Sequence, residues 1–580
     1  MAVIYRVNMS DLTVSAEEPG AAYAELGGRG LTSALVASEV PATCHPLSAT
    51  NKLIIAPGIL TGTGAPCSGR ISVGAKSPLT GTIKESNSGG QAALALAALG
   101  IKAIVLEGKP REKRLYRLVV SKEGLKIEAA EGLAGLGNYD TVKRQFEEFG
   151  DKVACISIGQ AGEMLTAAAS VAITDVEGRP TRHCGRGGMG AVMGSKGVKV
   201  IVIDPAGGPR VKPADPETFK KGVKKFREAL EKHPITGEGL PTFGTNVLAN
   251  IINAAGAYPT RNFSRGQFEG TEAISGERQH DLILQRGGEG KIAHACHRGC
   301  TIKCSRIYVD EKGRYVTKGP EYETIWAHGA DCGIDDLDAI ARMDRMDDDL
   351  GLDTIEVGAA IGVAMEAGVI PFGDAERAFG LLEEVAKGTP LGRLVASGAD
   401  VLGKAYGVDR IPTVKGQAMP AYDPRATQGI GVTYATSTMG ADHTAGYYIT
   451  ANVLGVGGKV DPLKPEGQVE LSRNLQIATA AIDASGLCLF VAFAVLDDPN
   501  AMDAICEMLS GLYGRPFTAD DFGALGKRTL TGERQFNTAA GFTAADDRLP
   551  DFFKTEKLAP HDVTFTVPDE ELDTVYEFSG

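Results

Sequence analysis

Short apolar, β-branched runs at residues 2–7, 52–56, 71–73, 103–106, 115–120, 153–157 and 198–203 alternate with glycine-rich turns. Their length and composition predict strands, with a small-residue helix at 91–99 among them. Past the prolines between 205 and 213 the apolar period becomes helical. Residues 213–232 read as an amphipathic helix with acids early and lysines late, as the helix dipole favours. The same period returns at 335–350, 354–367, 374–387 and 391–406, then at 467–483 and 499–512 after a glycine- and tyrosine-rich stretch. No repeat of fixed period occurs. The expected fold class is α+β: an N-terminal β-rich α+β domain (1–208) followed by two mainly α-helical domains (209–412 and 413–580).

Composition narrows the function classes. With 43% hydrophobic and 23% charged residues, the 580-residue chain is ordinary globular material. A net charge of -13 without a basic cluster argues against nucleic-acid binding. The N-terminus has no signal-like apolar core, and no apolar run is long enough to span a bilayer, so a cytoplasmic location without a membrane span is expected. Ten cysteines in such a chain suit metal ligands and packed thiols, not a disulfide framework. Three glycine clusters, around Gly27–Gly30, Asn87–Gly90 and Gly185–Gly190, pair bare backbone with arginine or small polar groups. That chemistry suits phosphates and a flat polar heterocycle, which makes the first domain the base of an anionic cofactor site. The order of elements does not fit a Rossmann unit.

Cys296, Cys300 and Cys304 lie four positions apart, and Gly299 permits a bend just before Cys300. With Cys488 as a remote fourth ligand they suit a cubic iron–sulfur cluster. Structural zinc and free thiols packed on one helix face are the alternatives, although the spacing is not the common zinc pattern. An Asp-x-x-Gly-Leu frame occurs twice, at Asp348–Leu352 and Asp483–Leu487. Each frame predicts a helix end capped by a left-handed glycine beside carboxylates able to accept paired N–H donors of a pterin or purine edge. Glu321 and Glu323 fall on opposite faces if that stretch is extended. His443 beside Asp442, in a glycine-flanked loop, is a candidate acid/base pair.

Several stretches, in order along the chain, resemble the tungsten-containing aldehyde:ferredoxin oxidoreductase family: 51–63, 76–81, 87–90, 185–196, 319–323, 350–355, 420–425 and 483–490. The resemblance implies tungsten (or molybdenum, which the sequence does not distinguish) held between the dithiolenes of two pterins. It also implies a magnesium ion bridging their phosphates and a [4Fe-4S] cluster. Arg70, Asn87, Gly89, Arg182 and His183 then match cofactor-lining positions, and Asp348, Asp353, Asp483 and Leu487 match pterin-binding elements. Glu323 matches a glutamate near the metal, and His443 a histidine facing substrate.

Departures from the family pattern bear on the ligands. The first cysteine of a Cys-x-x-Cys-x-x-x-Cys motif falls on Ala293, so Cys304 is expected to complete the set with Cys296, Cys300 and Cys488, and His294 is the weaker substitute. Where some members carry Glu-x-x-His for an iron bridging two subunits, this chain has Arg342 and Arg345; two cations repel a metal ion, so any homo-oligomer is expected to lack bridging iron. A basic position after the histidine is Ala445 here, which leaves the phosphate contacts open. The implied activity is oxidation of an aldehyde to a carboxylic acid, with Glu323 as base and His443 polarising the carbonyl. Electrons would leave to a ferredoxin or a small iron–sulfur subunit. The rivals are the tungsten subunit of an aromatic acyl-thioester (benzoyl-CoA type) reductase, with Cys332 as the feature that supports it, and a non-catalytic electron-transfer subunit.

Overall fold

The computed structural model describes residues 2–579, and its first third is built on two six-stranded sheets. The first comprises β1 (Val3–Asn8), β2 (Thr13–Glu17), β3 (Leu53–Pro57), β4 (Ile71–Lys76), β5 (Ile83–Ser88) and β6 (Ile101–Glu107), in the order β2-β1-β6-β3-β4-β5. The second comprises β7 (Tyr116–Ser121), β8 (Gly124–Ala129), β9 (Ala154–Ser157), β10 (Val171–Ile173), β11 (Arg182–Cys184) and β12 (Val198–Ile203), in the order β11-β10-β9-β12-β7-β8. Pairing is antiparallel except for β1 with β6 and β7 with β12. Val7, Ile55, Val73 and Ile104 from the first sheet and Leu118, Ile156, Val171 and Ile201 from the second close one shared core. Every apolar run expected to be a strand is one. Strand β5 (Ile-Lys-Glu-Ser-Asn-Ser) has no apolar alternation, yet it is almost wholly buried. Its polar atoms find distant partners: Lys84 Nζ meets Asp442 Oδ2 at 3.0 Å, and Ile83 N–H donates to Asn537 Oδ1 at 2.9 Å.

The rest of the chain is mainly helical, as the periodicity predicts. Helix Pro216–Lys232 starts where the Asp215 carboxylate accepts N–H bonds from Glu217 and Thr218. It packs on helix Pro499–Tyr513, and the backbones come close because Gly222 and Gly511 carry no side chain; a Cβ on Gly511 would lie 2.5 Å from Phe219 N. A single apolar core thus runs through residues on both sides of position 412. The helix expected at 391–406 is two, Pro390–Val395 and Ala399–Tyr406, parted at Gly398 with φ 97°. Helix Ala519–Ala539 was not legible from its weak apolar period, although Thr518 and Asp521 form a capping box at its start. Among the described residues no helix is long and apolar enough to cross a membrane.

Two connections place the site. Helix Gly28–Glu39 lies between β4 and the helices Gln468–Ser485 and Ala519–Ala539. Its Arg29 is buried and paired with Glu533 (2.8 Å) and Asp483 (3.2 Å). Removing one partner of such a pair leaves an uncompensated buried charge, costing roughly 3–5 kcal/mol. A small sheet of β13 (Lys291–His294), β14 (Ser305–Val309) and β15 (Tyr315–Lys318) holds the cysteine loop between its first two strands. The loop bends at Gly299, whose φ is 87°.

Candidate active site and metal centre

A cavity of about 530 Å³ lies where β5, the cysteine loop and the second-half helices meet. Arg70, Asn87, Gly89, Arg182 and His183 line it from the first third of the chain, and Asp348, Asp353 and Asp483 from the helices. Arg70 Nε donates to Asn87 Oδ1 at 2.8 Å, and Asn87 Nδ2 donates to Asp483 Oδ1 at 3.2 Å, so floor and wall are linked. Arg182 Nη2 donates to Ser305 Oγ at 2.7 Å. Asp348 receives Lys318 Nζ at 2.6 Å and His183 Nε2 at 3.1 Å; despite burial, these two hold its carboxyl below the usual range. Asp353 caps helix Thr354–Glu366 and pairs with Arg186 at 3.3 Å. The two repeated frames fold alike. Each helix ends at a left-handed glycine, Gly351 (φ 74°) and Gly486 (φ 81°). Leu487 departs from the expectation: its side chain is buried in the apolar core and does not line the cavity.

The lining suits the group that the sequence implied. Glu85 Oε1, Arg182 Nε and Asp348 Oδ2 are buried without a hydrogen-bond partner among the described residues. Such atoms are costly to leave unmet, and together they match a flat ligand rich in donors and acceptors. Bare backbone sits beside them: a Cβ on Gly89 would stand 2.8 Å from Cys296 Sγ. Glu85 also shows how crowded the negative charge is, since burial and the Asp483 charge push its carboxyl up to about 8.

The thiols gather against this lining. Cys296, Cys304 and Cys488 face the same cavity. Cys300 Sγ lies within 4.8 Å of the Cys296 sulfur and accepts the Lys303 N–H at 3.3 Å. Cys488 follows the Gly486 turn, which brings it to the loop from the far end of the chain. His294 points elsewhere: its ring groups with Asp175 and Glu177, with Nε2 3.5 Å from Glu177 Oε1. Two residues of this region were not picked out from the sequence. Cys67 is in contact with Cys300, and the buried His297 ring stands within ligand distance of Cys296 and Cys300. Cys67 sits alone between a proline and a glycine turn, so no spacing signalled it.

The opposite wall is of another character. Glu321 and Glu323 both line the cavity because the segment opens a helix, Tyr322–His328, and is not extended. Glu321 accepts the Thr245 hydroxyl at 2.7 Å and lies 3.7 Å from Arg182, on the thiol side. Glu323 Oε2 accepts the Ala421 N–H at 3.0 Å, and its Oε1 lies 3.4 Å from His443 Nε2. Burial pushes Glu323 up to about 8 and pushes His443 down to about 4, so near neutrality the pair is largely uncharged. Asp442 is the opposite case: Lys84 and Arg186 overcome its burial and hold it well below the usual carboxylate range. Aromatic rings surround the histidine, with Tyr422 at 5.9 Å and Tyr447 at 6.1 Å, and Phe493 continues the wall 6.2 Å from Tyr447. Ile235, Leu240, Leu248, Ile251 and Leu454 extend the apolar lining, with π-helical turns at Ile235–Gly239 and Thr450–Leu454.

Other expected features resolve simply. The buried Cys332 thiol donates to Ala327 O at 3.2 Å, and Cys332 does not line the cavity. Arg342 pairs with Glu376, and Arg345 lies over the Tyr139 ring, so both cations have partners within the chain. Ala445 lines the cavity on the His443 side.

Known proteins share this plan. A family model for the N-terminal domain of aldehyde ferredoxin oxidoreductase matches residues 4–205, and a model for domains 2 and 3 matches residues 221–580. The tungsten-containing aldehyde ferredoxin oxidoreductase of Pyrococcus furiosus is 38% identical over 573 residues, covering 95% of this chain and 91% of that protein. The protein of the same description from Thermococcus kodakarensis is 38% identical over 574 residues, with coverages of 95% and 91%. A solved structure, the active site complex BamBC of benzoyl coenzyme A reductase in complex with 1,5-dienoyl-CoA, superposes with a TM-score of 0.82. At 19% identity, covering 100% of this chain and 94% of that one, it shares the fold. Matched in order by both family models, and 38% identical along 95% of its length to the Pyrococcus protein, the chain belongs to the aldehyde ferredoxin oxidoreductase family.

Proposed function

We propose that this chain is a tungstopterin (or molybdopterin) oxidoreductase that converts apolar, preferentially aromatic, aldehydes to carboxylic acids. The overall change is RCHO + H2O → RCO2H + 2H⁺ + 2e⁻. When bound, the metal–bis-pterin supplies a two-electron acceptor and the [4Fe-4S] cluster a one-electron outlet towards ferredoxin or a small iron–sulfur subunit. Arg70, Asn87, Gly89, Arg182, His183, Asp348, Asp353 and Asp483 would hold the pterins. Magnesium would join the pterin phosphates, and Cys296, Cys300, Cys304 and Cys488 would hold the cluster.

The observation that carries the reading is that Glu323 and His443 approach to 3.4 Å in the cavity that Cys296, Cys304 and Cys488 also face. In this scheme Glu323 takes a proton from water as it adds to the carbonyl carbon. Because burial raises its pKa to about 8, the active carboxylate form grows as pH rises towards that value. His443 stays neutral above about 4, and one ring N–H donates to the aldehyde oxygen. The Tyr422, Tyr447 and Phe493 rings favour a flat apolar substituent and exclude water from the reacting carbon.

The acyl-thioester alternative lacks support in this cavity. The Cys332 sulfur that favoured it is turned to a backbone carbonyl. The test is dye reduction by purified holoenzyme with benzaldehyde, acetaldehyde and a thioester, alongside metal analysis. The proposal expects about four irons and one tungsten or molybdenum per chain, with benzaldehyde turned over most efficiently. Thioester turnover without aldehyde turnover would overturn it.

A further inference from the structure

A second group of potential metal ligands lies outside the cavity. Asp175 and Glu177 sit in the loop between β10 and β11, and His294 ends β13. One ligand atom from each lies within 4.8 Å of the other two, and none of the three residues lines the cavity. His294 is 5% exposed, yet neither ring nitrogen has a hydrogen-bond partner among the described residues. Its Nε2 stands 3.5 Å from Glu177 Oε1. Buried polar atoms are costly to leave unmet, and an ion held between the imidazole and the carboxylates would meet one of them. Asp175 is buried and already oriented. The Glu177 and Arg179 N–H groups donate to its Oδ1 at 2.8 and 3.0 Å, and the Thr181 hydroxyl donates to its Oδ2 at 2.8 Å. Outer bonds of this kind fix ligating carboxylates in place. Glu177 is the exposed member of the three, which gives an ion a way in.

We propose that Asp175, Glu177 and His294 form a zinc site, separate from the cofactor sites above, that staples the β10–β11 loop to the strand leading into the cysteine loop. One imidazole and two carboxylates, with water in the fourth place, make a donor set that zinc accepts. Zinc bonds of about 2.0–2.2 Å put tetrahedral ligand atoms roughly 3.4 Å apart. The His294–Glu177 separation is already of that size. Lys291 is the competitor for the place: its Nζ pairs with Glu177 Oε1, and its side chain is half exposed, free to swing into solvent as the ion enters. Arg179 bonds the other Glu177 oxygen, Oε2, at 2.9 Å and keeps it. Zinc and the Lys291 ammonium therefore exclude each other at Oε1. A group that served only as an ion-pair cluster would show no such competition.

The test is equilibrium dialysis of chelator-washed holoenzyme against zinc chloride, with metal analysis, for the wild type, His294→Ala, Asp175→Asn and Lys291→Met. The wild type should take up about one zinc per chain that His294→Ala does not; the difference between the two discounts any zinc held by cysteines. Asp175→Asn should bind at least about tenfold more weakly. Lys291→Met should bind about two- to fivefold more tightly, because the competing cation is gone. Lys291 lies at the surface, so this arm stands even where a change at a buried ligand disturbs folding. Equal zinc uptake by the wild type and a folded His294→Ala variant would overturn the proposal, since the ion would then be held elsewhere. So would a Lys291→Met variant that binds no more tightly than the wild type, or a wild type that takes up no zinc.

Discussion

The two walls of the cavity are built on opposite rules. The wall proposed to hold the cofactor is a buried ionic lattice in which Arg29, Arg70, Lys318, Asp348 and Asp483 are fixed by one another and by side chains from distant segments. On the wall proposed to face substrate, Glu323 and His443 are shifted towards neutrality by burial among tyrosine and phenylalanine rings, and Asp442 beside them stays charged through Lys84 and Arg186. A charged lattice suits a permanent, phosphate-bearing group, because its cost in desolvation is met once, on assembly. A largely aromatic wall around a neutral acid and imidazole suits a ligand that must enter and leave at every turnover. On the proposed reading, the difference separates residues that hold from residues that react.

Substitutions can break that contrast from either side. The largest effect is expected for Glu323→Gln, which should lower turnover by about 10²- to 10⁴-fold while metal content stays at the wild-type level. Equal loss of tungsten and activity would move Glu323 to the holding side. On the cofactor wall, Arg29→Ala leaves Glu533 buried without its cation and should destabilise the chain by roughly 3–5 kcal/mol, read as a lowered denaturant midpoint. A smaller change is expected for Phe493→Leu. It should raise KM for benzaldehyde by about 2- to 10-fold, from the loss of an aromatic contact of roughly 0.5–1.5 kcal/mol, and leave acetaldehyde almost unaffected.

pH sharpens the same comparison. Turnover of the wild type should rise with pH along a limb centred near 8, as Glu323 loses its proton, and that limb should vanish from the residual activity of Glu323→Gln. Stability runs the other way. The folded chain keeps the Glu323 proton up to about 8, while the unfolded chain releases it near 4.5. Between those values the folded state binds more protons, so this group's contribution declines as pH rises. Glu323→Gln should flatten that decline in a series of denaturant midpoints.

How much of this was legible depended on which physical signal carried each part. Short apolar, β-branched runs revealed β1, β3 and β12, and helical period with caps revealed Leu337–Leu350 and Thr354–Glu366, because burial leaves a local pattern in the chain. Strand β5 gave no such signal. Its buried Lys84 and Glu85 answer to charges supplied by Asp442 and Asp483, hundreds of positions away, and by Arg29 on another element. The repeated Asp-x-x-Gly-Leu frame was legible as two glycine-capped helix ends, but nothing local showed that the Leu487 side chain turns into the core. Cys296, Cys300 and Cys304 announced themselves by spacing. Cys67 did not, since its approach to Cys300 is made by the tertiary fold alone.

The central claim, one cavity with a holding wall and a reacting wall, is most directly tested by anomalous-difference maps from holoenzyme crystals at the tungsten and iron edges. The account predicts a tungsten (or molybdenum) peak inside the cavity between Asp483 and the Glu323–His443 pair, and an iron peak enclosed by Cys296, Cys300, Cys304 and Cys488. A heavy-metal peak outside that cavity, or iron bound at other residues, would contradict it.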